Sequence, residues 1–144
     1  MNSNKKFQVY LSLVIIETTA LIWFSFIPAA EFVPSGGFVR PGDAEHLIAY
    51  LVYGFIWSEL FATCAKTDKT KWINILFRFF LPAAAGSILG GICESIQLFI
   101  PTRNADVLDW AIDMTGSLFG AVLSMRFKAV FKFLNHTQNK IVIT

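Results

Sequence analysis

Residues 86–120 read GSILGGICESIQLFIPTRNADVLDWAIDMTGSLFG, two apolar runs on either side of the turn Pro101-Thr102-Arg103-Asn104. In the first run Gly86, Gly90, Glu94 and Gln97 recur at spacings of four, four and three; in the second, Asp109, Asp113, Gly116 and Gly120 recur at four, three and four. Each set is one face of a helix. A turn this short returns the chain antiparallel, so the two stripes match depth for depth, with glycines deep and polar groups near the turn. Small residues that let backbones approach, below carboxylates on otherwise apolar helices, predict a pair of membrane spans.

The same reading extends outward over the 144 residues. More than half are hydrophobic and 15% are charged, against ~25% charged in an ordinary soluble domain. Apolar runs long enough to cross ~30 Å of hydrocarbon occur at about 7–30, interrupted by Glu17, at 46–64, at 75–100, where Arg78 and Pro82 soften the start, and at 107–127. The predicted fold class is all-α: a single-domain integral membrane bundle of about four antiparallel transmembrane helices. The Pro/Gly-rich loop around Pro34-Ser35-Gly36-Gly37 and Pro41-Gly42, and the Lys-rich loop at 66–71, are too short for a soluble domain. A net charge of +2, scattered along the chain, excludes a nucleic-acid surface. Cys64 and Cys93 fall on different helices in different halves of the bilayer, which speaks against a disulfide. No Cys/His spacing resembles a zinc site.

Lys5 and Lys6, Lys66, Lys69, Lys71 and Arg78, and Arg126, Lys128, Lys132 and Lys140 all fall on one side of this arrangement; Arg40 and Arg103 fall on the other. Cations in short loops resist translocation. Both termini are therefore expected in the cytoplasm, with the loops around 31–45 and 101–106 outside. A cleaved signal peptide over residues 1–30 is the competing reading, from Lys5-Lys6, the apolar run and Pro28-Ala29-Ala30. The apolar run is longer than a signal's core, and cleavage would leave an odd number of spans.

Acidic groups are costly in a bilayer, so their placement is informative. Glu31, Asp43, Glu45, Glu94, Asp106, Asp109 and Asp113 lie on or near the outer end, whereas Asp68 and Glu59 lie on the inner side. The second span adds a stripe of His46, Tyr50, Tyr53 and Trp57 with the histidine outermost. Periodicity and topology together predict a cluster of His46, Glu94, Gln97, Arg103, Asp109 and Asp113, with Tyr50 beside it. Each element also has a bland reading. The glycine pairs are packing devices, Tyr50, Tyr53 and Trp57 suit packing or the interface, His46 is a solvated helix-end residue, and Asp106 caps the last helix. Glu17 is either a buried, protonated hydrogen-bonding group or part of the same cavity. Glu94, Asp109 and Asp113 resist a bland reading, because three adjacent carboxylates need a cation, protons or donors, and Arg103 brings one charge.

The ordered set Asp43-Ala44-Glu45-His46-Leu47-Ile48-Ala49-Tyr50, Glu94-Ser95-Ile96-Gln97, Pro101-Thr102-Arg103, Asp109 and Gly116 resembles the VanZ-like family of small bacterial membrane proteins, over residues 40–125. That signature runs as a turn before a histidine and an Ala-Tyr pair, then E-x-x-Q, a proline, an arginine, and D-x-x-x-N-x-x-G. The resemblance implies a multi-pass protein of the bacterial plasma (inner) membrane, connected with the cell envelope and with resistance to glycopeptide antibiotics such as teicoplanin. It implies no settled mechanism. Two departures matter: Asp43 stands where the family usually has a lysine before the histidine, and Asp113 where it has an asparagine. The second adds acidity to an acidic pocket and bears on whether the ligand is the same.

On these residues the leading expectation is an outward-facing site that binds or processes the headgroup of an envelope lipid or lipid-linked precursor. Arg103 would engage an anionic group. His46 or Glu94 would act as acid or base, the candidate catalytic pair. Gln97, Asp109, Asp113 and Tyr50 would contact the ligand, and Asp109, Asp113 and Glu94 are the groups that could hold a divalent cation. Binding and catalysis are not separated by the residues alone. A second expectation is a non-catalytic accessory or assembly protein whose polar cluster is structural, partnered by another membrane protein or a second copy. A third, a small proton- or ion-coupled transporter, draws on Glu17 and Glu59 lying deeper, with no inverted repeat to support it. No phosphate loop, nucleotide fingerprint or nucleophile elbow is present.

Overall fold

In the computed structural model, which describes residues 2–28, 41–64 and 71–141 and the side chains of 2–28, 42–64 and 72–127, the chain is helical with no strand among the described residues. Helix α1 (Ser3–Ser25) has no Pro or Gly to interrupt it. It ends where the amides of Phe26 and Ile27 turn back to the carbonyls of Trp23 and Phe24, just before Pro28, which disfavours helical geometry in the residue it follows. Helix α2 (Pro41–Cys64) opens on a proline, whose missing N–H costs nothing in a first turn, with Asp43 complementing the helix dipole. Helix α3 (Lys71–Ile75) continues through a π-helical turn, Leu76–Phe80, into α4 (Leu81–Gln97). Helix α5 (Val107–Ile141) starts on an N-cap, Asp106, whose Oδ1 accepts from the Leu108 amide at 2.8 Å.

Four helices are long and apolar enough to cross a membrane: Ser3–Ser25, Gly42–Cys64, Trp72–Gln97 and Val107–Phe127. The all-α, four-span reading of the sequence holds, with shifted boundaries. The first helix starts and stops earlier than 7–30. The third is not cut short by Arg78 and Pro82. Proline cannot donate to the carbonyl four residues back and its ring crowds it; here the wide turn, in which the Leu81 amide reaches Leu76 O, absorbs the misfit without breaking the helix. The last helix continues past 127 to Ile141, 35 residues, or roughly 50 Å of rise. Glu31, Arg40, Lys66, Asp68, Lys69 and the Pro34-Ser35-Gly36-Gly37 loop lie outside the described residues, as do the side chains of Lys71, Lys128, Lys132 and Lys140.

The interior of this bundle is more polar than its surface. Ser25, Ser58, Glu59, Glu94, Gln97, Asp113, Ser117 and Ser124 are buried, while Ile16, Trp23, Phe24, Ile88 and Phe119 are each more than half exposed. In water that distribution would forfeit the hydrophobic drive to fold; in hydrocarbon it satisfies the polar groups internally and gives the apolar ones a matching solvent. The chain is a membrane protein by this criterion as well as by helix length.

Helix α2 is the centre of the bundle, packed most extensively against α5, with α4 against α5 and α1 lying over α2 and α4. The glycine stripes do not meet one another. Gly116 and Gly120 face α2, where an added Cβ would stand 2.7 Å from Leu47 O and from Phe55 N respectively. Gly86 and Gly90 instead make room for the α5 side chains Ser117 and Asp113. The aromatic stripe of α2 forms a packed ladder, Tyr50 to Tyr53 at 6.0 Å and Tyr53 to Trp57 at 6.1 Å between ring centres, with Leu21 and Ile22 of α1 against it. The packing reading of Tyr53 and Trp57 is what the structure has.

Candidate functional site

Helices α1 and α4 finish, and α2 and α5 begin, at one end of the bundle, so residues far apart in the chain converge there. His46 comes from the second turn of α2, Glu94 from the last turn of α4, and Asp113 from the second turn of α5. His46 Nδ1 and Asp113 Oδ1 share a hydrogen bond of 2.8 Å, with Asp113 wholly buried. Glu94 Oε2 accepts from the Asp106 backbone N–H at 2.7 Å. One ligating atom of each of His46, Glu94 and Asp113 lies within 4.8 Å of the other two. Asp109, half-buried, is near enough to act electrostatically on all three. Glu94 Oε1, Asp113 Oδ2 and the Tyr50 hydroxyl are shielded from solvent and complete no hydrogen bond of regular geometry among the described residues, although the hydroxyl faces Asp113 and the Cys93 thiol.

Beside this cluster lies a cavity of about 310 Å³. Its lining is mixed: Leu21 and Phe24 of α1 and Ala49 of α2 are apolar, Glu45, His46, Gln97 and Arg103 polar, and Ser25, Tyr50 and Cys93 complete it. Arg103 is held at the rim by its Nε–H, which donates to the Ile27 carbonyl at 3.1 Å. Among the described residues Arg103 makes no ion pair.

Of the residues singled out in the sequence, His46, Glu94 and Asp113 meet directly, while Tyr50, His46, Gln97 and Arg103 line the cavity. Asp109 stands outside the cavity wall, and Asp106 is the helix cap that the bland reading expected. Glu17 is not part of this cavity: its Oε2 is shielded and without a partner, with Tyr53 as a neighbour. Cys64 and Cys93 are both free thiols. The contribution of α1 to the cavity went unread, because Leu21, Phe24 and Ser25 carry no polar signature in an apolar run.

A second polar network lies toward the other end of the bundle. Ser124 Oγ–H donates to Glu59 Oε1 at 2.7 Å and shares a hydrogen bond with the Ser58 hydroxyl at 3.0 Å. Arg78 Nη2 approaches Ser124 Oγ at 3.4 Å and Glu59 Oε1 at 3.8 Å. Arg78, grouped above with the loop cations, therefore sits inside a span and faces a buried carboxylate. The signal was present: Asp113, Ser117, Gly120 and Ser124 continue one helical face at spacings of four, three and four.

A scan against family models, a search of curated proteins and a search of solved structures each return no match to this chain. Function is accordingly read from the site.

Proposed function

We propose that the cavity beside His46 binds the phosphate-bearing headgroup of an envelope lipid or lipid-linked precursor at the outer leaflet of a bacterial plasma membrane, in a chain related to the VanZ-like proteins. The observation that carries this reading is the mixed lining of the cavity: Leu21 and Phe24 of α1, suited to the first carbons of a lipid, together with Gln97, His46 and the tethered guanidinium of Arg103. A planar guanidinium matches a phosphate better than any other side chain does. The distribution of cations along the sequence supports an outward-facing cavity and cytoplasmic termini. The order of His46, Glu94-x-x-Gln97, Arg103, Asp109 and Gly116 supports the family, and with it a role in envelope or antibiotic-resistance phenotypes. Should the headgroup be processed as well as bound, His46, which lines the cavity, would move the proton, with Glu94 beside it the second candidate.

The test is a thermal-shift titration of detergent-purified wild type and Arg103→Gln against a short-chain phosphatidic acid and a polyprenyl phosphate, with diacylglycerol and polyprenol as phosphate-free controls. Ligand at 100 times its Kd stabilises by about 2.7 kcal/mol, a shift of several degrees that should need both the phosphate and Arg103. Equal shifts from the phosphate-free lipids would sink the reading. A structural role is favoured by one further observation, that the His46–Asp113 and Glu94–Asp106 hydrogen bonds tie α2, α4 and α5 together. On that reading Glu94→Gln lowers stability and no lipid responds.

A further inference from the structure

We propose that His46, Glu94 and Asp113 hold a divalent ion of the Zn²⁺ or Mn²⁺ type, and that this ion supplies the positive charge on which a phosphate in the cavity is bound. The three ligating atoms, within 4.8 Å of one another, are close to what an ion needs. Two ligands on a tetrahedral ion with bonds of ~2.1 Å stand about 3.4 Å apart, so small rotations of two carboxylates close the set.

The independent observation is the pair of stranded oxygens. Glu94 is 7% exposed and Asp113 0%, and each buries one carboxylate oxygen that completes no hydrogen bond among the described residues, with the Tyr50 hydroxyl the group that faces Asp113 most directly after His46. A buried carboxylate oxygen without a donor is costly, and both oxygens belong to the three residues that converge. The other oxygens are already engaged. Glu94 Oε2 is fixed by the Asp106 amide, the kind of outer contact that orients a ligand before an ion arrives, and the 2.8 Å bond between His46 and Asp113 holds two of the ligands side by side, its proton to be displaced by the ion. Gly90 contributes by its lack of a side chain, since a Cβ there would stand 2.8 Å from Asp113 Oδ2.

The donor set selects the ion. One imidazole with two carboxylates suits zinc or manganese, whereas magnesium and calcium prefer oxygen alone, and no thiolate is among the three. Three protein ligands leave coordination positions for something else. His46 also lines the cavity beside Gln97 and Arg103, so an open position reaches the place where the headgroup phosphate is proposed to sit. The ion removes a difficulty of charge: Glu94, Asp109 and Asp113 would repel an anion that Arg103 alone attracts. It also gives a purpose to Asp113, which adds a ligand where an asparagine would add none of comparable strength. The phosphate half of the inference rests on the headgroup reading above, while the ion site stands without it.

The experiment uses the full chain, detergent-purified and stripped with a chelator, incubated with Zn²⁺, Mn²⁺ or Mg²⁺ alone, desalted and measured for metal by mass spectrometry. We expect one Zn²⁺ or Mn²⁺ retained per chain and no Mg²⁺. Retention should fall at least tenfold in Asp113→Asn and in His46→Gln, with a thermal scan of each stripped variant confirming that it folds. Co²⁺ should give visible absorption bands of a four- or five-coordinate nitrogen/oxygen site in the wild type, a readout that needs no variant. Failure of the wild type to retain a transition metal, or retention unchanged in the variants, overturns the site. Adding the polyprenyl phosphate, or inorganic phosphate, to stripped and metal-loaded protein tests the rest. Stabilisation by the lipid only when metal is present supports the inference and identifies a lipid source; stabilisation by inorganic phosphate alone points to a soluble anion and overturns the headgroup reading. Equal response of stripped protein overturns the ion's role in binding phosphate, and metal retention with no phosphate response leaves the ion site standing while the headgroup reading falls.

Discussion

Replacing Gly120 by alanine builds a methyl group into the tightest approach of α2 and α5. The new Cβ would overlap the Leu51 carbonyl oxygen, and would stand 2.7 Å from Phe55 N and 2.9 Å from the Leu51 carbonyl carbon, where ordinary contact begins at 3.4 Å. All three atoms are backbone, so no side chain can rotate away, and the helices must part by at least about 0.7 Å. A gap of that size forfeits a quarter to a half of the dispersion energy across it, and overpacking typically costs ~1–3 kcal/mol. Because this is the most extensive interface of the bundle, and packing is what associates helices in lipid, a loss near ~3 kcal/mol is expected. The His46–Asp113 hydrogen bond crosses the same interface at 2.8 Å and would stretch to about 3.5 Å, the limit for such a bond. Thermal unfolding of detergent-purified protein, followed by tryptophan fluorescence, should show Tm falling by roughly 10 °C. Gly42→Ala is the control: nothing lies within 4 Å of a Cβ there, and the change should be neutral or raise stability by up to ~1 kcal/mol through helix propensity. A Tm for Gly120→Ala within a degree of wild type, or an equal fall in Gly42→Ala, would refute the close approach.

Arg78→Leu strips the buried Glu59 of its cation and should cost up to ~3 kcal/mol, the low end for breaking a buried pair because Arg78 is 19% exposed; in a double-mutant cycle by thermal unfolding, adding Glu59→Leu should recover much of that. Asp106→Ala removes the α5 cap and should cost ~1 kcal/mol, whereas Asp106→Asn keeps it, a difference readable in Tm. Trp110→Phe loses the indole N–H to Ser87 carbonyl bond of 2.9 Å between α5 and α4, worth roughly 0.6–1 kcal/mol in a bilayer. A fluorescent-protein fusion at the C-terminus should fluoresce in cells and an alkaline phosphatase insertion at 101–106 should be active; the reverse pattern would overturn the proposed orientation.

The helical hairpin at 86–120, the four spans and the meeting of His46, Glu94 and Asp113 were legible because a period of 3.6 residues and a short turn leave few arrangements. What was hidden depends on rotation between helices, which a stripe on one helix does not carry. Hence Gly116 and Gly120 were matched with Gly86 and Gly90, when they face the backbone of α2 instead. Arg78 was misread for a related reason: the cation count treats any arginine near a loop as flanking, but a carboxylate on another helix draws this one inside. The cavity's apolar lining had no signature at all, since Leu21 and Phe24 look like any lipid-facing residues until α1 is laid over α2.

The π turn at Leu76–Phe80 makes chain length, as well as residue identity, part of the design of the third span. Inward-facing positions there recur at strict fours: Arg78, Pro82, Gly86, Gly90, Glu94. In an unbroken α-helix each step of four overshoots a full turn by about 40°, so the file would drift away from the bundle axis before reaching residue 78. The extra residue accommodated by the wide turn returns about 100° of that drift. Substitutions at 76, 77, 79 and 80 are therefore tolerable in a way that a deletion is not. Removing a single residue would restore regular helix, swing the segment from Lys71 to Arg78 about its axis, and turn a guanidinium from its serine and carboxylate partners toward hydrocarbon.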